Sequence, residues 1–302
     1  MDRAAMIVGV VDIGTNSMRL LVVDGGKERH REVEVTALGA GVDRTGRFDE
    51  EQAAATLDVL ERYGAIMDRL DVRRRRAVAT SATRDAEDGT EFMERAARVL
   101  GVVPEVISGT EEAELSYLGA TASIDRRLPT VVIDIGGGST EFVFGNGAVT
   151  YATSIDIGSV RLTERSLSSR PASEEEVDAA RASSVEMFRG IALPTAPERA
   201  VGVAGTFTSL AAMILDLEIY DRDRVHGTVL TITVIRNLIE RLADLTIAEM
   251  AAIPSLDPKR APVILAGAVL AEAALAAVGV DQVTVSEHDL LDGMAIEVLS
   301  SQ

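Results

Sequence analysis

One pattern occurs twice in this chain of 302 residues and limits its fold more than any other feature. It is present as VVDIGTNSMRLLVVD in residues 10–24 and as VVIDIGGGSTEFVF in residues 131–144. Each copy has an apolar run, an Asp-Ile-Gly step, a short turn that contains serine, and a second apolar run. Val, Ile and Phe on either side of a Gly-rich turn predict two strands joined by a tight turn. The repeat therefore predicts two related α/β domains that face each other across a cleft.

The two copies carry different charges at matching positions. Their alignment on Asp-Ile-Gly pairs Asp12 with Asp134, Ser17 with Ser139, and Arg19 with Glu141. The first copy thus offers a cation where the second offers a carboxylate. In the second copy, the three consecutive glycines at 136–138 let backbone N–H groups approach an anion and form a nest for phosphate. Asp134 and Glu141 flank this turn, where oxygen ligands for Mg²⁺ are expected.

The composition excludes several kinds of site. The chain has no cysteine, so it has neither disulfides nor thiolate chemistry. Its three histidines are scattered, which argues against a His-rich zinc site. The formal net charge of −18 would repel nucleic acid, and the chain lacks the basic stripe that binding to a phosphate backbone needs. A polyanionic substrate would have to be held by a few placed arginines.

The most membrane-like segment predicts a buried helix. Residues 262–280 are mostly Ala and other apolar residues, but Glu272 interrupts them. The N-terminus enters a predicted strand almost at once and lacks the features of a signal peptide. We therefore expect a cytoplasmic protein that makes no contact with a membrane.

The order of predicted elements favours a mixed sheet with helices on its faces in the first domain. Residues 124–129 are the predicted linker, which divides the chain into domains 1–123 and 124–302, with a last helix that can pack back on the first domain. Three local predictions are a third strand at 32–38, a helix that begins at Asp257-Pro258, and a capping box of Ser173 with Glu176. The helix after that capping box is expected to turn Val177, Val185 and Phe188 inward.

Four loops follow predicted strands or begin predicted helices, where open α/β sheets bind ligands, and they lie at residues 14–17, 81–84, 136–139 and 205–208. The residues expected to contact phosphate are Gly14, Thr15, Asn16, Ser17 and Arg19 in the first copy, Gly136, Gly137, Gly138 and Ser139 in the second, and Gly205 and Thr206 in a later loop. Taken alone, each loop has a structural interpretation as a capped turn. A third Asp-Ile-Gly-Ser, at residues 156–159, lacks the following strand, and we interpret it as partly coincidental.

The candidate reactive groups are arginines and carboxylates. Arg84 and Arg19 are the candidates for phosphoryl oxygens, because a guanidinium matches them bidentately. Alternatively, Arg19 pairs with a neighbouring Glu on the sheet. With no cysteine and no suitable histidine, the group that orients or deprotonates the nucleophile is a carboxylate, and Glu112 at the start of a predicted helix is the first choice. Alternatively, Glu111 and Glu112 only complement the helix dipole.

Several of these segments together resemble one known family. DIGTNSMRL, ATSATRDA, ISGTEEAELSYLG, VVIDIGGGSTEFV, GSVRLTER and VAGTFTSLA are similar, in the same order, to the signature segments of the exopolyphosphatase/guanosine-pentaphosphate phosphatase (Ppx/GppA) family. That family belongs to the actin-like ATPase and sugar-kinase superfamily. The resemblance therefore implies an α/β fold of two ribonuclease-H-like domains around an interdomain cleft.

The resemblance also implies roles for individual residues. Glu112, the second Glu of the SGTEEA segment, is the implied catalytic base. Asp134 and Glu141 are implied around the metal and the attacking water. Asp12 is a further metal ligand that we expect, apart from the resemblance. Arg84 and the glycine loops are implied to hold the phosphates. The implied cofactor is Mg²⁺, with Mn²⁺ as an alternative.

The chain departs from the family pattern in two places. Longer members carry a further helical region after the two core domains, and this sequence has no such region after residue 302. We therefore expect a preference for shorter polyphosphates as substrates. Leu291 also stands where members often have an Arg before an acidic residue and Gly, which removes one phosphate contact.

The expected activity is that of an exopolyphosphatase, which removes the terminal phosphate of inorganic polyphosphate. The alternatives are a guanosine pentaphosphate (pppGpp) 5′-phosphohydrolase and, from another class, a non-catalytic sensor of polyphosphate or nucleotide. The apolar last helix favours a homodimer.

Overall fold

The computed structural model describes residues 6–301, which form two compact units. The first takes in Met1–Gly119 and His288–Gln302, of which residues 6–119 and 288–301 are described. The second is Ala120–Glu287. The second unit thus begins at Ala120 rather than at residue 124, and the final segment of the chain belongs to the first unit.

The first unit is built on a mixed five-stranded sheet. Its strands, in the order β3-β2-β1-β4-β5, are β1 (Ile7–Ile13), β2 (Ser17–Asp24), β3 (Lys27–Val35), β4 (Arg74–Ala79) and β5 (Glu105–Val106). The first three strands are antiparallel neighbours, and β4 and β5 run parallel to β1. This order and these directions are the ribonuclease-H-like topology that the resemblance implies.

Helices cover both faces of this sheet because its central strand is apolar on both sides. Val8 and Val10 of β1 belong to one buried cluster, and Val11 and Ile13 belong to the other, as alternation along a strand requires. The helices that begin within residues 6–119 are α1 (Val42–Thr45), α2 (Glu50–Arg69), α3 (Ser81–Asp85), α4 (Gly89–Leu100) and α5 (Gly109–Ala120).

The second unit repeats this sheet and adds one strand. The order is β10-β11-β9-β6-β7-β8, with β6 (Thr130–Ile135), β7 (Thr140–Gly145), β8 (Val149–Ile155), β9 (Arg199–Val203), β10 (Val229–Thr231) and β11 (Gln282–Val285). Strands β6 to β8 are antiparallel, β9 and β11 are parallel to β6, and β10 is an antiparallel edge strand. The sequence repeat therefore corresponds to a repeat of the fold.

The second unit contains the apolar segment near residue 270. Its helices are α6 (Ser159–Ser166), α7 (Glu174–Phe188), α8 (Ala204–Ile214), α9 (Arg222–Val225), α10 (Ile232–Ala243), α11 (Ile247–Ala251) and α12 (Ile264–Val278). Nearly all residues of α12 are buried in the core of the unit, which confirms the predicted buried helix. Within residues 6–301, no helix combines the length and the apolar character that crossing a membrane requires.

The last helix, α13 (Leu290–Ser300), packs on the sheet of the first unit. Its apolar residues Leu290, Leu291 and Met294 are buried there with Val8 and Val10. They are therefore used within one chain and give no reason to expect a homodimer, which stays a prediction.

Some local predictions are confirmed and others are wrong. The Ser173–Glu176 capping box is present, with both of its hydrogen bonds. The prediction for Val185 is wrong, because 56% of its surface is exposed. Val177 and Phe188 of α7 are buried, as predicted. The third strand begins at Lys27 rather than residue 32, and Asp257 caps only a 3₁₀ turn at Pro258–Arg260 before α12.

Candidate active site

The two repeated turns have the same hydrogen bond. In the first unit, Gly14 N donates to Ser17 O at 3.2 Å, and in the second, Gly136 N donates to Ser139 O at 3.0 Å. A Cβ atom on Gly14 would lie 2.8 Å from Ser17 O, so only glycine fits there without a shift. The sequence repeat thus places the same tight turn at the end of the first strand of each sheet.

The turn of the first unit brings Asp12 and Arg19 together. They lie opposite each other in β1 and β2, and the Asp12 Oδ2 atom accepts from Arg19 Nε at 2.7 Å and pairs with Nη2 at 2.6 Å. Arg19 Nη1 also forms an ion pair with Asp289, which precedes α13. The alternative of a purely sheet-face ion pair for Arg19 therefore has support, although its partners are two aspartates rather than a glutamate.

The Asp12 carboxyl is almost fully buried. Its Oδ1 atom has no hydrogen-bond partner among the described residues. Burial raises the pKa of this carboxyl, although the charge and hydrogen bonds of Arg19 oppose the shift. A buried carboxylate oxygen without a partner is a costly group that a cation would stabilise.

The loop after β1 and the loop after β4 are joined by hydrogen bonds. Thr80 N donates to Ile13 O at 3.2 Å, and Ala82 N donates to Thr15 Oγ1 at 3.2 Å. Asn16, like Thr15, is buried, and its carbonyl accepts from the backbone at residues 36 and 37. Two of the four predicted loops, at 14–17 and 81–84, therefore lie side by side.

Arg84 and Glu112 form an ion pair. Arg84 Nη1 is 3.1 Å from Glu112 Oε2 and also donates to Ile107 O at 2.8 Å. Glu112 lies in the first turn of α5, and only 12% of its side chain is exposed. The neighbouring Glu111 instead pairs with Arg76 at 3.0 Å. The structure thus separates the two glutamates and places the predicted base against the predicted phosphate ligand.

In the second unit, Asp134 and Glu141 lie opposite each other in β6 and β7. Both are buried, with 6% and 1% of their surface exposed. Ser154 lies directly across from Glu141 on β8, and its Oγ donates to Glu141 Oε1 at 2.7 Å. This bond fixes one oxygen of the carboxylate at the shoulder of the glycine turn.

The start of α6 supports the glycine turn. Ser159 N donates to Gly136 O at 3.0 Å, and Val160 N donates to Gly137 O at 2.9 Å. A Cβ atom on Gly158 would lie 2.4 Å from the Gly137 carbonyl carbon. The third Asp-Ile-Gly-Ser, which we interpreted as partly coincidental, therefore has a structural role: its last two residues hold the glycine turn.

The fourth loop, at the start of α8, lies against the same sheet. Thr206 Oγ1 donates to Ile135 O at 3.0 Å, which joins this loop to the end of β6. A Cβ atom on Gly205 would lie 1.9 Å from Nη1 of Arg260, so this guanidinium rests directly on the Gly205 backbone. Sequence reasoning missed Arg260, because only the folded chain brings the 3₁₀ turn at Pro258–Arg260 to this loop.

Comparison with known proteins identifies the family. The model of the Ppx/GppA phosphatase family matches residues 10–302. The chain belongs to this family.

Relatives of the Ppx/GppA family match almost the whole chain. Exopolyphosphatase 2 of Mycobacterium tuberculosis (strain ATCC 25618 / H37Rv) is 41% identical, over 96% of this chain and 98% of the relative. The crystal structure of an exopolyphosphatase-like protein is 37% identical and has a TM-score of 0.91, covering 97% of this chain and 98% of its own. The crystal structure of the Aquifex aeolicus Ppx/GppA family member is 34% identical with a TM-score of 0.82, covering 98% and 99%. The resemblance and the fold class are therefore confirmed.

Asp134 and Glu141 of this Ppx/GppA protein have the chemistry of magnesium ligands, with water or substrate phosphates needed for the remaining positions. Within residues 6–301, no group of three or more Asp, Glu or His side chains is placed to hold a metal. Mg²⁺ is commonly bound by one or two carboxylates together with water and substrate phosphates. The buried pair Asp134 and Glu141 supplies such carboxylates, and the unpartnered oxygen of Asp12 is of the same chemical kind.

Proposed function

We propose that this protein hydrolyses the terminal phosphoanhydride bond of inorganic polyphosphate and releases orthophosphate, with a preference for shorter chains. The observation that carries the proposal is the ion pair of Arg84 with Glu112. A carboxylate that can accept a proton lies beside a guanidinium that can bind a phosphoryl oxygen. The relative named Exopolyphosphatase 2, similar over nearly the full length, supports polyphosphate as the substrate.

In this proposal, Glu112 orients a water molecule and accepts one of its protons. The water oxygen attacks the terminal phosphorus, and the bond from that phosphorus to the bridging oxygen breaks. The bridging oxygen keeps the electron pair and leaves with the shortened chain. Arg84 and Arg19 bind phosphoryl oxygens, whose negative charge they neutralise.

The backbone supplies the remaining phosphate contacts. Amide groups of the turns at 14–17, 136–139 and 205–206 donate to phosphoryl oxygens. Asp134, Glu141 and Asp12 are the residues proposed to bind Mg²⁺ or Mn²⁺. The ion would neutralise charge on the phosphoryl oxygens. Glu141 also orients the attacking water and is therefore a catalytic residue in this proposal.

The family name covers a second substrate, guanosine pentaphosphate, whose 5′-terminal phosphate has the same phosphoanhydride chemistry. Hydrolysis of guanosine pentaphosphate is therefore the alternative activity. The alternative that is not an enzyme is a sensor of polyphosphate or nucleotide. The cytoplasmic location and the homodimer accompany the proposal as predictions.

The test measures orthophosphate release from polyphosphates of graded length, with guanosine pentaphosphate in parallel, with and without Mg²⁺. We expect release from the shorter polyphosphates, dependent on the metal. Faster release from guanosine pentaphosphate would favour the alternative substrate, and binding without release would favour the sensor.

Two matched variants test the base. Glu112→Gln should lower kcat by about 10²-fold or more, because the amide cannot accept the proton, while the thermal unfolding temperature stays near that of the wild type. Glu111→Gln, in the same helical turn but paired with Arg76, should keep nearly full activity. Full activity of Glu112→Gln would eliminate the assignment.

A further inference from the structure

Asp289 lies at the start of the last helix and contacts a residue of the first repeat. Its Oδ1 atom accepts from Leu291 N at 3.0 Å and so caps α13. Its Oδ2 atom forms an ion pair with Arg19 Nη1. The two residues are 270 positions apart, and neither the turn at 14–17 nor the helix cap requires this contact.

The helix is held in place by other contacts. A Cβ atom on Gly293 would lie 2.0 Å from Leu115 O, and one on Gly119 would lie 1.9 Å from Asp289 O, so α13 and α5 cross in direct backbone contact. Asp292 adds an ion pair with Arg31 at 2.7 Å. Together with the apolar residues of α13, these contacts fix the helix without the pair between Asp289 and Arg19.

The pair of Asp289 with Arg19 belongs to a group of buried charges. Arg19 is shared by two carboxylates, Asp12 and Asp289, and both aspartates are buried. The charge of Arg31 also acts on Asp289. Buried ion pairs contribute little net stability because desolvation opposes them, so stability alone does not explain the pair of Asp289 with Arg19. It does fix the guanidinium, because Asp12 binds the Nε and Nη2 side and Asp289 binds Nη1.

We propose that Asp289 is a positioning residue for Arg19, which it holds in the orientation that binds a phosphoryl group. The inference rests on the proposed function, in which Arg19 contacts phosphate. A long arginine side chain that is ordered before the substrate arrives loses less freedom on binding. Through Asp289, the last helix supports phosphate binding by Arg19, although the Asp289 side chain does not contact the substrate.

Asp289→Asn separates this role from helix capping. The asparagine keeps a side-chain oxygen for Leu291 N and is as good a helix cap as aspartate. Its amide group would face Arg19 with donors instead of an acceptor, so the ion pair is lost. Asp289→Ser is the second variant, since serine also caps a helix but is too short to reach Arg19. Asp49→Asn, at the cap of α2, is the matched control without a link to Arg19.

The experiment is a double-mutant cycle of Asp289→Asn with Arg19→Ala. It measures kcat and KM for orthophosphate release from tripolyphosphate, and the calorimetric Kd of tripolyphosphate. In the presence of Arg19, we expect kcat/KM to fall about tenfold, mainly through KM, and Kd to rise by a similar factor. In the Arg19→Ala background the same substitution should change either quantity less than about twofold, because Asp289 acts only through Arg19. Asp49→Asn should match the wild type.

The inference would be overturned if Asp289→Asn lowered kcat/KM and raised Kd equally with and without Arg19. It would also be overturned if the substitution had no effect when Arg19 is present. If the wild type releases no orthophosphate, the proposed function fails, and the cycle in Kd alone decides the role of Asp289. Absence of tripolyphosphate binding by the wild type would refute both.

Discussion

Replacement of Gly158 by alanine tests how closely the reaction depends on the position of the glycine turn. Gly158 has φ −137° and ψ 179°, an extended conformation that any residue adopts, so the substitution adds no backbone strain. It adds only a methyl group. That methyl carbon would lie 2.4 Å from the carbonyl carbon and oxygen of Gly137 and 2.6 Å from Gly138 N.

The required displacement follows from these distances. Ordinary contact begins at 3.4 Å, so the turn and the start of α6 must separate by about 1 Å, which is 3.4 minus 2.4. The atoms in contact are backbone atoms, so no side-chain rotation relieves the overlap. The same movement would stretch the bonds from Ser159 N to Gly136 O and from Val160 N to Gly137 O, now 3.0 and 2.9 Å.

We expect a modest loss of stability and a large loss of activity. Overpacking of this size costs about 1–3 kcal/mol in the free energy of unfolding. A misplacement of about 1 Å at a site that positions substrate lowers kcat/KM by about a hundredfold. Urea unfolding measures the first quantity, and orthophosphate release from tripolyphosphate measures the second.

Gly190→Ala is the control, because no atom lies within 4 Å of a Cβ atom at that position. It should leave both quantities unchanged. Activity of Gly158→Ala within about twofold of the wild type, in a protein that is destabilised as expected, would show that the reaction does not depend on the position of this turn.

Two further predictions concern stability. Burial alone would raise the pKa of Asp292, but hydrogen bonds from His288 and the charge of Arg31 lower it from 3.8 to about 2. Asp292 therefore contributes about 2 kcal/mol to the free energy of unfolding above pH ~4, and this contribution is lost as the pH falls toward 2. The free energy of unfolding of Asp292→Asn, measured in urea, should lack both the contribution and its pH dependence. Phe188, packed edge-on against Phe142 with ring centroids 5.0 Å apart, should cost about 3–5 kcal/mol when replaced by alanine. Val185→Ala in the same helix should cost less than about 0.5 kcal/mol, and a larger loss would contradict the exposure of Val185.

Local patterns predict the strands of this fold well. The sequence predicts two strands around the turn of each repeated copy, and the structure has them as β1 and β2 and as β6 and β7. Such strands are short runs of β-branched and other apolar residues with clear turn signals on either side, so neighbouring residues alone identify them. The repeat of the turn, and with it the repeat of the sheet, is predictable for the same reason.

The parts that the sequence does not reveal depend on contacts between distant residues. Helix α6 lacks a continuous apolar period, and its first N–H groups are satisfied by carbonyls of the glycine turn more than 20 residues earlier. The contact of Arg260 with the Gly205 backbone and the ion pair of Asp289 with Arg19 also join residues that are far apart in the sequence. No local pattern predicts these contacts, because they depend on how helices and strands that are far apart in the sequence pack together.

A local signal sets Glu111 and Glu112 against different partners. The Ser108 side chain caps Glu111 N at 3.2 Å and its carbonyl binds Glu112 N at 2.9 Å, which sets where α5 begins. Successive side chains on a helix are rotated by about 100°, so the two glutamates cannot reach the same partner. Glu111 reaches Arg76, and Glu112 reaches Arg84 in the loop after β4. Interaction with the helix dipole explains why carboxylates occur in this turn, but it applies to both residues and selects neither. Their glutamine variants lose the same dipole interaction, so a lower kcat of Glu112→Gln alone would not come from the dipole and would support the proposed proton-accepting role of Glu112.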